Sequence, residues 1–171
     1  MQIEIGVRAE HEPAELREVQ PYLAEQFPQL FEAAKTTLKI LAPKRTFWEK
    51  VTIFHAESFK REGTPLTRRF ARHAYDLHQL MISGIGQEAL DDLDLLKRVS
   101  QHKARFHASA NVDYSQAYTG KLRLAPKGSK QQALADDYAA MHDFFISEPP
   151  KFCDILKSLQ LIEQQTNSAN G

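Results

Sequence analysis

Lys50 is the polar residue of this chain whose surroundings best suit the binding of an anion. It lies in residues 45–57, where apolar residues recur at a period of 3.6 and include Trp48, the one tryptophan of the sequence. This pattern predicts an amphipathic helix, on which Lys50 shares a second row with Thr46. A lysine on a helix packed by its other face points in one direction, as a phosphate or carboxylate site requires. The alternative interpretation is an ordinary solvated lysine.

A second charged group falls in residues 68–80, another stretch with helical periodicity. Its members are Arg68, Arg69, Arg72 and Asp76. The short connector between the two predicted helices favours an antiparallel pair, which would bring Lys50 and Asp76 together. The competing interpretation pairs Arg72 with Asp76 at i, i+4, a surface ion pair worth about 0.3–0.5 kcal/mol.

Other chemical signatures are weak or missing in the sequence. It contains no Gly-rich phosphate loop, no nucleophile-elbow serine and no histidine pair at metal-ligand spacing. His73 and His78 flank Asp76 but lie on different helical faces, so no metal ligands are predicted. Cys153 is the single cysteine, which excludes an internal disulfide and a cysteine-based zinc site. Glu4, on the first predicted strand, is the remaining candidate carboxylate.

Strands with alternating side-chain patterns, together with amphipathic helices, must position these residues. In residues 1–7 and 34–42, successive side chains alternate between two faces as they do in strands. Pro43 ends the second predicted strand. Helical patterns cover residues 16–27, 45–57, 68–80, a stretch after Gly86 up to about 103, 130–146, and a last helix that begins at Pro149 or Pro150. Residues 104–128 are expected to be irregular apart from a short strand at 121–124, and the polar residues 164–171 are expected to fray.

The predicted fold class is α+β, a predominantly helical bundle packed on a small, incomplete β-sheet. Residues 1–44 would carry the sheet, residues 45–165 would form the helical domain, and 166–171 would be a disordered tail. The 171 residues, of which 42% are hydrophobic and 26% charged, suffice for one globular domain with a sizeable core.

Charge and hydropathy narrow the functional classes. The formal net charge is zero, so no overall attraction to nucleic acid or to an anionic membrane is expected. No apolar run has the length of a membrane span, and the N-terminus lacks a signal-peptide pattern. A cytoplasmic protein without membrane contact is therefore expected.

Two motifs and their flanking residues carry a family resemblance. The segments "APKRTFWEKVTIFHAES" and "RRFARHAYDLHQL" resemble the AbiEii/AbiGii-type nucleotidyltransferase toxins, in which a T-x-W-E-K-like helix precedes an R-x-x-R-x-x-x-D-L helix. The similarity extends through "IEIGVR" near the start and "LADDYAAMHDFFISEPPKF" near the end. It thus covers most of the chain.

The resemblance implies a DNA polymerase β-like nucleotidyltransferase toxin of a bacterial two-gene system, which moves a nucleotide from an NTP to an RNA acceptor. It implies NTP and Mg²⁺ in the reaction and a cognate antitoxin as partner. Lys50 matches the motif lysine expected to contact NTP phosphates, and Asp76 the aspartate that orients this lysine or acts near the acceptor. Glu4 matches an acidic residue on the third strand of the family's sheet. Thr46, Arg69 and Arg72 are the expected substrate-binding residues.

One part of the family pattern has no counterpart in this sequence. In the family, a Gly-Ser turn and metal-binding D-x-D carboxylates precede the strand that matches residues 1–7. Glu10, Glu12 and Glu15 follow that strand and do not replace them. Because two-metal phosphoryl transfer needs fixed carboxylates, we expect a truncated nucleotidyltransferase-like fold with an incomplete active site.

Two non-enzymatic alternatives stay open. One is an interaction protein that binds a partner or antitoxin through the exposed edge of the sheet. The other is an RNA-binding protein that uses Arg68, Arg69, Arg72, Lys103 and Arg105. A first strand that begins at Met1 would leave unpaired backbone and an apolar face, so we also expect a homodimer.

Overall fold

The computed structural model describes residue 10, residues 12–145 and residues 147–169. The predicted strand at 1–7 and the candidate Glu4 lie outside the described residues. The chain divides into two compact units, Met1–Ala42 and Pro43–Gly171. The described part contains seven α-helices and a two-stranded antiparallel sheet, so the predicted α+β class is confirmed.

The described part of the Met1–Ala42 unit is a hairpin-like pair of strands with a short helix between them. Strand β1 (Ala14–Val19) pairs antiparallel with β2 (Thr36–Leu41). The second strand was predicted correctly. The first was wrongly predicted as part of a helix over 16–27, because its pairing depends on a partner some twenty residues further along the chain. Helix α1 is only Tyr22–Gln26 and follows Pro21, which cannot donate to a strand ladder.

Helix α2 (Pro43–Ser58) is the central element of the Pro43–Gly171 unit. It begins two residues before the predicted start, because proline has the φ angle of a first helical turn and needs no hydrogen-bond acceptor there. The predicted apolar face is buried, and Phe47 and Trp48 lie at its centre with their rings edge to face at 4.9 Å. Because packing fixes this face of α2, the row of side chains that contains Lys50 points in one direction.

The remaining helices follow the predicted pattern with three corrections, of which the first is that the helix predicted from residue 68 begins at Ala71. Their bounds are α3 Ala71–Ile82, α4 Ile85–Leu90, α5 Leu93–Phe106, α6 Gly128–Ala139 and α7 Phe152–Ala169. The helix predicted up to about residue 103 is two helices, because Asp92 accepts from the backbone N–H of Leu95 and starts α5 anew. Helix α6 ends seven residues early, and a 3-10 turn at His142–Phe144 follows it.

The segment expected to form a strand at 121–124 is instead held by α7. Leu122 and Leu124 are both buried, as alternate residues of a strand would be. The side chain of Asn167 accepts from the backbone N–H of Leu122 and donates to its carbonyl. Glu163 accepts from the backbone N–H groups of Leu124 and Ala125. These bonds keep α7 helical to Ala169, so residues 166–169 are ordered where we expected the tail to fray.

One hydrophobic core lies within the Pro43–Gly171 unit. Helix α2 contacts α3, α4 and α5, and α3 also contacts α6 and α7. The largest fully buried apolar side chains come from five of these helices, namely Phe47, Trp48, Leu77, Leu95, Leu96, Leu134, Ile155, Leu159 and Ile162. Each of these helices therefore presents one fixed outer face.

Candidate functional site

The side chains of Lys50 and Asp76 meet across α2 and α3. The ammonium of Lys50 donates to Oδ2 of Asp76 at 2.6 Å. The exposed fractions of the two side chains are 19% and 36%. The predicted convergence of the two side chains is thus confirmed, while their roles in a reaction stay predictions.

Packing between the two helices explains why these residues meet. The inward face of α2 carries Phe54, whose ring contacts that of Phe70 at 4.8 Å, directly before α3 begins. Ala74 and Leu77 of α3 are buried on the side facing the core. With both inner faces fixed, Lys50 and Asp76 occupy neighbouring outer rows.

The ion pair contributes orientation more than stability. Because Asp76 is over one-third exposed, solvent screens the attraction, and a gain of about 0–1 kcal/mol is appropriate. A lysine ammonium has three N–H donors, and this bond uses one of them. Lys50 can therefore keep its bond to Asp76 and still donate to an anion.

His73 lies one helical turn before Asp76 and is kept neutral. Burial lowers the pKa of His73 to about 4, and the positive charges of Lys50 and Arg72 act in the same direction, against an opposing effect of Asp76. Its Nδ1 atom is buried and has no hydrogen-bond partner among the described residues. The imidazole therefore adds no positive charge to the site at neutral pH.

Among the described residues, Asp76 forms its ion pair with Lys50 and with none of the arginines of the second motif. Arg68 and Arg69 line a recess of about 260 Å³ together with Asp137. Arg72 is exposed. Thr46 is half-buried one turn before Lys50. None of the three arginine side chains has an ion-pair partner in the part of the chain that the structure describes.

Asp137 is a residue that sequence reasoning missed. Its carboxylate accepts from the backbone N–H of Arg69 at 2.9 Å and from that of Ala71 at 2.8 Å. Arg69 has a φ of 61°, the one left-handed non-glycine residue in the described ranges. Asp137 therefore fixes the turn into α3 and delays the helix start from the predicted residue 68 to Ala71. The sequence gives no local signal for a contact that spans 68 positions.

His55 was assigned to the apolar face of α2, and its burial is confirmed. The backbone N–H of Arg123 donates to Nδ1, so Nε2 carries the proton and donates to the carbonyl of Asp113 at 3.1 Å. Burial lowers the pKa of His55, which favours this neutral form. His55 thus ties two loop segments to α2.

A metal centre is not among the arrangements found. The described residues contain no group of three or more His, Cys, Asp or Glu side chains that could hold a metal ion. They do not fit a two-metal site of the kind used in phosphoryl transfer.

Within the described residues, none of the helices combines the length and apolar character that crossing a bilayer requires.

Comparison with known families gives one match. A family model described as the nucleotidyl transferase AbiEii toxin of a type IV toxin–antitoxin system matches residues 1–158. The match spans both α2 and α3, and with them Lys50 and Asp76. No curated protein and no solved structure matches the chain.

Proposed function

We propose that this chain, which belongs to the AbiEii nucleotidyl transferase toxin family of type IV toxin–antitoxin systems, binds the triphosphate of an NTP through Lys50. The observation that carries the proposal is the 2.6 Å contact between Lys50 and Asp76. The two charged residues that the family resemblance singled out come from different helices and are brought together by the fold.

In this proposal Asp76 positions Lys50. An unrestrained lysine has about 2 kcal/mol of rotamer entropy to lose on binding a ligand. The hydrogen bond to Asp76 restricts those rotamers beforehand and leaves two N–H donors for phosphate oxygens. Preorganised positive charge of this kind stabilises the negative charge that is redistributed during phosphoryl transfer.

The acceptor in the proposal is RNA, which Arg69 and Arg72 contact through backbone phosphates. Exposed guanidinium groups bind phosphate oxygens with paired N–H donors. The exposure of both arginines supports this role. Thr46, on the same helical row as Lys50, is proposed as a further contact to the NTP.

Mg²⁺ in this reaction class neutralises triphosphate charge and positions the attacking and leaving oxygens. Lys50 supplies one charge but cannot hold two metal ions. We therefore propose that the site described here binds NTP but is incomplete for transfer. The lack of a metal-holding cluster among the described residues supports this.

The proposed setting is the bacterial cytoplasm, where NTPs and RNA are both present, with a cognate antitoxin as partner. We also propose self-association to a homodimer through the Met1–Ala42 unit. Its described residues expose several large apolar side chains, namely Leu16, Tyr22, Leu23, Phe27, Leu30 and Leu38. Apolar surface of this kind favours association.

Equilibrium binding of a labelled NTP tests the proposed function. The Lys50→Ala variant should weaken binding at least tenfold, whereas Lys97→Ala should bind as the unchanged protein does. Lys97 is a suitable control because it is an exposed lysine on α5 outside the site. Equal affinity of the Lys50→Ala variant and the unchanged protein would refute the assignment.

RNA binding without catalysis is the second candidate, favoured by the three exposed arginines Arg68, Arg69 and Arg72. It predicts that RNA binds in the absence of NTP, and that affinity falls steeply with salt because phosphate contacts release counterions. Replacing the three arginines by glutamine should abolish this binding, while Lys50→Ala should leave it intact. Binding unaffected by the triple change would exclude the candidate.

A further inference from the structure

A cleft of about 440 Å³ lies between α2, α3, α5 and the loop after α5. This volume is within the range of about 300–1,000 Å³ that small-molecule sites occupy. Neither Lys50 nor Asp76 lines this cleft. Its position and its lining nevertheless connect it to that site.

The cleft begins one helical turn from the Lys50–Asp76 pair on both helices. On α2, Ile53 and Glu57 line the cleft and follow Lys50 at i+3 and i+7, on the same helical face. On α3, His73 lines it and precedes Asp76 by three residues. A ligand at this end of the cleft would therefore lie about one helical turn from the residues that carry the ammonium and the carboxylate.

Apolar and aromatic groups form the inner wall of the cleft. Ile53, Ala56, Phe59 and Val112 all line it. The guanidinium of Arg123 lies over one face of the Phe59 ring at 4.9 Å, and the imidazole of His55 meets the ring edge to face at 5.1 Å. An apolar wall that contains a fixed aromatic ring suits a nucleobase.

Neutral polar groups form the outer rim. The side chains of Ser109 and Asn111 line the cleft and make no hydrogen bond within the described part of the chain. Both lie in the loop before Asp113, whose carbonyl is bonded to His55. They can therefore donate to and accept from the polar edge of a base or a ribose hydroxyl.

Most of the charged groups that line the cleft are cancelled by a partner or kept neutral. Lys60 and Glu57 form an ion pair at 2.7 Å and cancel. His73 is neutral because its pKa is lowered to about 4. Lys103 is a cation for which no ion pair is found among the described residues. The Lys60–Glu57 pair and the neutral His73 place no net charge against an uncharged nucleoside, and Lys103 can donate to its oxygen atoms.

We propose that this cleft binds the nucleoside of the NTP, with the base against Phe59 and Ile53 and the triphosphate extending to Lys50. The proposal rests on the proposed function of Lys50 and adds the location of the base and ribose. It predicts that two parts of one ligand bind to separable sets of residues. Each part can be tested with a probe that lacks the other.

The test uses two probes, a phosphate-free nucleoside and inorganic tripolyphosphate, with each of the four common nucleosides examined in turn. Ala56→Trp fills the cleft from α2, and Ala104→Trp is its control, an exposed alanine of α5 that does not line the cleft. Ala56→Trp should weaken nucleoside binding at least tenfold and change tripolyphosphate binding less than twofold. Lys50→Ala should do the reverse.

The two arms separate this inference from the proposed function. Nucleoside binding that is unchanged by Ala56→Trp, or undetectable for the unchanged protein, overturns the cleft assignment. Tripolyphosphate binding that is insensitive to Lys50→Ala overturns the proposed function instead. Reduced RNA binding with unchanged NTP binding in Ala56→Trp would assign the cleft to the acceptor and also overturn the inference. Asn111→Trp, which fills the cleft from an exposed loop, replaces Ala56→Trp if that variant does not fold.

Discussion

The contact of Asp137 with the turn before α3 provides the sharpest test of how the arginine motif is held. Asp137→Ala removes the acceptor of two backbone N–H groups, those of Arg69 and Ala71. Without it, the Arg69 N–H group turns to water, and the left-handed Arg69 loses the bond that offsets its backbone strain.

The magnitude follows from the number and the exposure of these bonds. A hydrogen bond to a charged group contributes about 1.5–3 kcal/mol when buried. Asp137 is only half-buried, so we take about 1 kcal/mol for each bond, the size of a typical helix cap. Asp137→Ala should therefore lower the free energy of unfolding by about 2 kcal/mol. For a chain of this size the melting temperature should fall by about 4–8 °C.

Chemical denaturation measures this change, and the neighbouring Asp136 provides the control. Asp136 is exposed and bonds to the side chain of Gln132 one turn earlier, so Asp136→Ala should change stability by less than about 0.5 kcal/mol. The stability of Asp137→Asn should lie between those of Asp136→Ala and Asp137→Ala. Its amide oxygen still accepts one of the two backbone N–H groups, but its NH₂ group cannot accept the other. Equal stability of the Asp136→Ala and Asp137→Ala proteins would refute the reasoning.

Arg69→Gly should be about 1 kcal/mol more stable than Arg69→Ala in chemical denaturation, because only glycine accepts a φ of 61° without strain; equal stabilities would argue against the strain. The folded pKa of His73, about 4, lies below its unfolded value, so the unfolded chain binds the extra proton and stability should fall from about pH 6.5 to about pH 4. Denaturation across this range should show a shallower decline in His73→Gln, and an unchanged decline would contradict the assignment. Glu163→Ala should speed amide exchange at Leu124 and Ala125, which lose their acceptor; exchange as slow as before would contradict that role.

The parts of the site that the sequence predicted depend on local periodicity. The face of α2 with Trp48 follows from apolar spacing alone, and that spacing also placed Lys50 on the opposite row. A short connector then made the meeting with Asp76 predictable. The first step involved neighbours within about a helical turn. The second held because residues 59–70, which connect the two helices, leave α2 and α3 in contact.

The parts that were missed depend on distant residues. The stretch from Leu16 to Val19 has no strong pattern of its own and becomes a strand through its pairing with β2. Leu122 and Leu124 alternate like a strand, but side chains of α7 take the place of a partner strand. The bond of Asp137 to the turn at Arg69 likewise joins residues far apart in sequence. The secondary-structure propensities of single residues do not include contacts with residues that are distant in sequence.

The central claim is that Asp76 orients Lys50 for a triphosphate, and a double-mutant cycle on NTP binding tests it most directly. Dissociation constants are measured for the unchanged protein, Lys50→Ala, Asp76→Asn and the double variant. We predict that Asp76→Asn weakens binding about fivefold, a coupling of about 1 kcal/mol, and has no further effect once Lys50 is alanine. Tighter binding by Asp76→Asn would show that the carboxylate only repels the triphosphate, and an equal loss in both backgrounds would show that it acts without Lys50. Either result would contradict the account.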